Sequence, residues 1–205
     1  NDQAPELVDT AFLSRGDVKV AEVDGSCFCC NFNGLIGAMS KVRAEADADV
    51  LIAEPVGSCT DLSATIVQPL KDRFQQELVI APLSVMADPA RLADILDGGT
   101  AGLHPSAAYI FRKQIEEADI VVISKTDLLT SAELDALKTR LAQACPDVAI
   151  FTVSVKTGEG FDAWMDEVTM RTDAGQRIAE VDYDVYAEGE AVLGWLNATL
   201  TLHGE

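Results

Sequence analysis

Three cysteines stand close together near the start of the chain. Cys27, Cys29 and Cys30 are separated only by Phe28. Thiolates are soft ligands that favour zinc and other late transition metals. This tight spacing supplies two or three ligands and leaves the coordination shell open, as suits an ion that must be released. The cluster predicts a transition-metal site, with Zn²⁺ favoured and Co²⁺ or Ni²⁺ as alternatives.

The remaining cysteines and the two histidines are weaker candidates for metal binding. Cys59 is predicted as an additional ligand, although a free cysteine is also commonly a small buried residue. Cys145 lies at the end of a predicted helix and is expected to pack there. His104 and His203 stay open as ligands. The odd count of five cysteines argues against a disulfide framework.

A tetrapeptide after an apolar run has the residue types of a guanine-binding loop. Ser124, Lys125 and Asp127 directly follow Ile120–Ile123. The carboxylate of Asp127 can accept two hydrogen bonds from the edge of guanine, which adenine does not offer in the same geometry. The lysine stem can lie along the purine face. Taken alone, the tetrapeptide is equally compatible with a capped turn and a solvated lysine.

A second loop follows the next predicted strand. Ser154, Val155 and Lys156 open the segment 154–160, which also holds two glycines. Backbone amides of such a loop can bind the guanine carbonyl. One helix separates the two strands that carry the loops, so the fold should bring the loops together. Jointly they predict a guanine pocket.

Glu54 and Gly57 follow another apolar run, Val50–Ala53. A carboxylate there can hold Mg²⁺ directly or through water, and a glycine amide can contact a terminal phosphate. We therefore take both as candidate catalytic residues. The alternative is a solvated glutamate beside a loop glycine.

Apolar runs alternate with helical patterns along most of the chain. This alternation predicts an α/β fold, a mostly parallel sheet with helices on both faces. Thr130 and Glu133 predict a capping box. Strands are expected at 17–23, 50–53, 78–85, 120–123 and 148–153, and helices at 33–45, 61–70, 89–96, 105–117, 130–145 and 161–170.

The composition changes after about residue 170. We expect a GTPase-like domain over residues 1–170 and a polar linker over 171–180. Residues 181–205, with two tyrosines and a tryptophan, would begin a small C-terminal module.

The 205 residues carry a formal charge of −19. This charge argues against nucleic acid or an anionic membrane as a partner, because both would be repelled. No stretch approaches the roughly 20 apolar residues of a membrane span, and no signal peptide is evident. A cytoplasmic location is expected.

The order of these motifs resembles the CobW-type family of P-loop GTPases, relatives of nickel-insertion and cobalamin-enzyme chaperones. The order is a CxCC cluster, a strand ending in ExxG, a strand ending in a variant of NKxD and a serine-lysine loop, over about residues 1–170. The resemblance implies metal binding at the cysteines, guanine selection by Asp127, and GTP hydrolysis coupled to metal delivery. The expected partners are GTP with Mg²⁺ and a client metalloprotein or corrinoid-related enzyme, and a homodimer is left open.

The sequence departs from the family at two places. It has no GxxxxGK[ST] motif, so the resemblance implies a P-loop GTPase-like fold truncated at its N-terminus. The phosphate loop is expected upstream of Asn1, and GTPase activity is conditional on it. Ser124 stands where the family has asparagine. The alternative function is a metal-binding or scaffolding module without nucleotide chemistry, and a thiol redox role for the adjacent cysteines is the remaining one.

Overall fold

A computed structural model describes residue 1 and residues 7–46, 48–194, 198, 200 and 201. The chain forms two compact units: unit 1 comprises residues 1–59 and 193–205, and unit 2 comprises residues 60–192. Trp195 and His203, which the sequence assigns to a C-terminal module, lie outside the described residues.

Unit 2 is built on a three-stranded parallel sheet in the order β1-β2-β3. The strands are β1 (Ser84–Ala87), β2 (Ile120–Ile123) and β3 (Ala149–Thr152). Every residue of β2 is fully buried, as the unbroken apolar run predicts for a central parallel strand. The unit also holds a short π-helical turn (Ser63–Val67) and six α-helices: α3 (Gln68–Phe74), α4 (Pro89–Leu96), α5 (Pro105–Glu117), α6 (Ser131–Ala144), α7 (Phe161–Met170) and α8 (Tyr183–Val192).

The sheet of unit 2 has a hydrophobic core on each face. On one face, Val121 and Ile123 of β2 pack with Leu92 of α4 and with Leu137 and Leu141 of α6. On the other face, Ile120 and Val122 of β2 pack with Val153, and Trp164 and Val168 of α7 cover them. The predicted α/β class, with helices on both faces of a parallel sheet, is confirmed.

One local helix signal in unit 2, the capping box of Thr130 and Glu133, is confirmed. The capping box of α6 is present, with the Thr130 hydroxyl accepting from the Glu133 amide and the Glu133 carboxylate accepting from the Thr130 amide. Asp88 caps α4 ahead of Pro89, and its carboxylate accepts from two amides of the first turn. The helix predicted from residue 61 differs, because a π-helical turn precedes α3, which carries Pro69 in its first turn, where proline is tolerated.

Unit 1 contains α1 (Val8–Leu13) and α2 (Phe32–Glu45). The strands predicted at 17–23 and 50–53 are wrong, since neither run forms a ladder in the described part of the chain. Val50 and Ile52 are 64% and 91% exposed. A strand needs a neighbouring backbone to pair with, and apolar composition alone does not supply one.

The segment after residue 170 packs within unit 2. The carboxylate of Asp119 accepts hydrogen bonds from the amides of Gly175 (2.6 Å) and Gln176 (2.9 Å). Helix α8 lies close against α5, where a Cβ on Gly189 would come within 2.7 Å of Ile110. The linker at 171–180 and the C-terminal module at 181–205 remain predictions.

Candidate functional site

The two predicted guanine loops meet in unit 2, at the carboxyl ends of β2 and β3. The hydroxyl of Ser154 donates to one oxygen of Asp127 at 2.8 Å, and Lys156 lies 3.7 Å from the other oxygen. The amide of Thr126 also donates to the carbonyl of Val153. Residues 27 positions apart in sequence thus form one polar constellation at the edge of the sheet.

Asp127 is held as a carboxylate. The hydrogen bond from Ser154 is the main reason that its pKa lies below the ordinary value, with Lys156 contributing as well. A carboxylate has about four acceptor positions, so the bond to Ser154 leaves room for further donors. The geometry therefore suits a ligand that presents N–H groups.

Ser154 is fully buried and organises its own loop. Its carbonyl accepts from Gly158 at 2.8 Å, and its amide donates to Glu159 at 3.0 Å. The side chains of Val155 and Lys156 point toward solvent, 72% and 79% exposed respectively. The buried Ser154 thus anchors a loop whose next two side chains are exposed.

Lys125 adopts a left-handed conformation, with φ of 53°. Its ammonium group pairs with Asp88 at 2.9 Å, and this bond lowers the pKa of Asp88. Asp88 directly follows β1 and caps α4, so the ion pair holds the side chain of Lys125 near the carboxyl end of β1. Ser124 is tied there too, because its hydroxyl donates to the carbonyl of Ala87 at 3.0 Å.

The cysteine cluster of unit 1 sits in a tight turn that leads into α2. The sulfurs of Cys27, Cys29 and Cys30 all lie within 4.8 Å of one another. The Sγ atoms of Cys27 and Cys29 are 2.7 Å apart, and those of Cys29 and Cys30 are 3.9 Å apart. The amide of Asn31 donates to the carbonyl of Cys27, and its side chain caps α2.

Among the thiols of this cluster, that of Cys29 loses its proton most readily. A hydrogen bond from Cys59, followed by those from Cys27 and Cys30, lowers the pKa of Cys29 to about 5 against the opposing effect of burial. Burial is the main cause that raises the pKa of Cys27 to about 12. The bond to Cys29 and burial also raise the pKa of Cys59. A thiolate surrounded by thiols is a ready first ligand for a soft cation.

Glu54 and Gly57 lie in an irregular loop of unit 1. Both residues are exposed, and the carbonyl of Glu54 accepts from the backbone nitrogen of Asn1 at 3.0 Å. Their assignment to magnesium and phosphate stays a prediction.

A comparison with known protein families decides the family of the chain. The family model described as CobW/HypB/UreG, nucleotide-binding domain matches residues 1–152. The chain belongs to this family. No curated protein and no solved structure gives a significant match. The predicted family and the nucleotide-binding character are thereby confirmed, while the loop at Ser154 falls just beyond the matched residues.

Several residues that shape the CobW-type domain are not predicted from the sequence. Asp88 follows the first strand of unit 2 and precedes a proline, which reads as a helix cap and could have been found. Glu117 ends α5 and Asp119 directly precedes β2. Both acids are buried, although the sequence pattern predicts that they face solvent. His104 caps α5 through its Nδ1 atom, and Cys145 packs in the core, whereas His203 lies outside the described residues.

Among the residues that the structure describes, no helix is long and apolar enough to cross a membrane.

Proposed function

We propose that this CobW-type chain binds a guanine nucleotide through Asp127 and Ser154 and binds a transition metal through Cys27, Cys29 and Cys30. GTP hydrolysis would be coupled to metal delivery. The observation that carries the nucleotide part is the 2.8 Å hydrogen bond between Ser154 and Asp127, which unites two loops from different strands.

The proposed chemistry of base recognition follows from donor and acceptor patterns. Guanine presents two adjacent N–H donors on one edge, and the Asp127 carboxylate is fixed by Ser154 with free acceptor positions. The backbone of Val155 and Lys156 supplies amides for the guanine carbonyl, and the stem of Lys125 covers the ring. Adenine lacks the matching donor pair.

Glu54 and Gly57 are the proposed link to the phosphate end. Glu54 is an exposed carboxylate suited to Mg²⁺ or to its bound water, and Gly57 is an exposed glycine whose lack of a side chain lets a phosphate approach the backbone. Mg²⁺ would offset phosphate charge when bound there. The cysteine cluster would hold the cargo ion, whose physiological identity we propose as Zn²⁺ from the softness of thiolates.

The alternative function is a metal-binding module without nucleotide chemistry. It is supported by the thiol cluster itself, whose sulfurs converge without help from the guanine loops. The two functions differ in whether a nucleotide binds and whether the base matters.

Calorimetric titration of the full-length natural protein with GTP, ATP and XTP tests the proposal. We expect GTP to bind and ATP not to. Asp127→Asn should weaken GTP binding by about 100-fold, because one charge-assisted hydrogen bond is lost and an amide donor faces a donor of the base. The same variant should gain affinity for XTP, whose C2 carbonyl can accept from the new amide.

Asp135→Asn is the matched control, since it removes one exposed carboxylate from the surface of α6. It should bind all three nucleotides as the natural protein does. Equal binding of GTP and ATP, or no effect of Asp127→Asn, would contradict the proposed pocket. Zinc binding without any nucleotide binding would favour the alternative.

A further inference from the structure

The three strands of unit 2 end at the edge of the sheet where the guanine loops meet. Asp127 lies in the loop after β2, Ser154 lies in the loop after β3, and Asp88 directly follows β1. The strands are parallel and adjacent, and their register pairs Ala87 with Ile123, the last residues of β1 and β2. The chain therefore leaves β1 and β2 side by side, at the edge where a ligand of such a sheet binds.

Two hydrogen bonds continue the contact between β1 and β2 beyond the strands themselves. The amide and the hydroxyl of Ser124 both donate to the carbonyl of Ala87, at 2.9 and 3.0 Å. The next residue on each side is charged, Asp88 after β1 and Lys125 after Ser124. Their carboxylate and ammonium groups lie 2.9 Å apart. The sheet register thus brings these two charges together.

The side chain of Lys125 is fixed at both ends. At its backbone end, the carbonyl of Lys125 accepts from the amide of Leu128 at 3.0 Å. At its other end, the ammonium group donates to one oxygen of Asp88. The second oxygen of Asp88 accepts from the amides of Ala90 and Arg91 in the first turn of α4, at 3.0 and 3.1 Å. The helix therefore orients the carboxylate that holds the lysine.

Lys156, the other lysine of the two guanine loops, is held less closely. Its ammonium group lies 3.7 Å from Asp127 and its side chain is 79% exposed, against 2.9 Å and 59% for Lys125. A lysine side chain loses rotamer freedom when a ligand orders it, and this loss weakens binding. For Lys125, the ion pair with Asp88 provides this order independently of any ligand.

We propose that Asp88 is a positioning residue of the guanine pocket, which holds the ammonium group of Lys125 so that the lysine stem is fixed where it covers the purine ring. This inference rests on the proposed guanine binding. Asp88 acts through Lys125 and does not itself contact the base. An apolar stem can cover any purine, so the ion pair strengthens binding of the base, whereas Asp127 selects guanine.

Calorimetric titration of GTP into the full-length natural protein and into Asp88→Asn tests the positioning role. Asparagine keeps an oxygen that caps α4, since Asn and Asp cap helices about equally well, but it removes the charge that holds Lys125. We expect the affinity for GTP to fall by about 2- to 10-fold, the usual cost of ordering one long side chain on binding.

Asp97→Asn is the matched control. It removes a carboxylate that pairs with Arg140 at 3.0 Å, at the other end of the same helix. This variant should bind GTP as the natural protein does. Unchanged or higher affinity of Asp88→Asn for GTP would overturn the positioning role and leave the guanine pocket intact. Failure of the natural protein to bind GTP would instead overturn the proposed guanine binding, and the role of Asp88 with it.

A double-mutant cycle with Lys125→Met separates positioning from a purely structural role of Asp88. Methionine keeps an unbranched apolar stem but has no ammonium group. Adding Asp88→Asn to Lys125→Met should therefore weaken GTP binding no further. A second loss of the same size in that background would show that Asp88 acts through the helix, and would overturn the positioning role. Asp88→Ser also keeps a capping oxygen, and it replaces Asp88→Asn in the cycle if circular dichroism shows that the latter does not fold.

Discussion

Glu117 is the buried acid most strongly perturbed by its surroundings. Its side chain is 1% exposed, and it accepts from the Thr60 hydroxyl and the Ser63 amide, both at 2.9 Å. Burial, and to a lesser extent the nearby charge of Asp61, raises the pKa of Glu117 to about 6, while the two donors oppose the shift. Asp61 in turn accepts from the hydroxyl of Tyr183 on α8.

This raised pKa predicts a pH-dependent contribution to stability. The folded protein holds the proton up to about pH 6, whereas the unfolded chain releases it near 4.5. Between these values the folded state binds more protons, so this contribution is fully present below pH 4.5 and is lost as pH rises through 6. The natural protein should therefore lose about 2 kcal/mol of unfolding free energy relative to Glu117→Gln between pH 4.5 and 7.

Urea unfolding of both proteins across that pH range gives the comparison. The difference between the two curves cancels the other titrating carboxylates, which Glu117→Gln leaves in place. Parallel curves would show that Glu117 ionises in the folded protein as it does in the unfolded chain.

At the scale of elements, the loop after β3 depends on two glycines with positive φ. Gly158 and Gly160 have φ of 80° and 77°. A Cβ on Gly160 would lie 1.9 Å from the carbonyl oxygen of Thr152, whereas a Cβ on Gly158 would meet nothing within 4 Å. Both glycines therefore have the same backbone conformation, but only Gly160 lacks room for a side chain. They lie in the loop that positions Ser154.

The pair provides a matched test of that loop. Gly158→Ala should cost about 1–2 kcal/mol from the left-handed conformation alone. Gly160→Ala should cost more, because backbone must move at the end of β3, and it should also weaken guanine binding by displacing Ser154. Thermal unfolding and nucleotide titration of both variants measure this. Equal costs for the two substitutions would contradict the described contact.

Prediction from sequence succeeds where a local signal decides the element. Thr130 and Glu133 define the start of α6, and the unbroken apolar run at Ile120–Ile123 defines the central strand. The run at 50–53 is also entirely apolar, yet it forms no strand in the described residues. Its conformation depends on a pairing partner elsewhere in the chain, which no local pattern reports.

The candidate site also combines features that the sequence predicts with features that it does not. Asp127 and Ser154 are each weak as motifs, but parallel topology predicts their convergence, and the structure brings them together. The clustering of Cys27, Cys29 and Cys30 follows from adjacency in sequence. The burial of Cys59 and Glu117 and the pairing of Lys125 with Asp88 arise from long-range packing, which the sequence patterns do not contain.

At the scale of the whole molecule, the CobW-type family assignment joins a nucleotide-binding fold to a thiol cluster. Glu54 and Gly57 precede Cys59 in one loop of unit 1. If that loop contacts GTP and GDP differently and also supplies a metal ligand, the nucleotide state changes the affinity for the metal. Linkage then requires the metal to change nucleotide affinity by the same factor.

The Zn²⁺ affinity of the full-length natural protein, measured with saturating GDP and with a non-hydrolysable GTP analogue, tests this coupling most directly. We predict affinities that differ by about 5- to 150-fold between the two nucleotide states, the usual range of coupling between two sites. Equal affinities in the two states would contradict the coupling of nucleotide to metal.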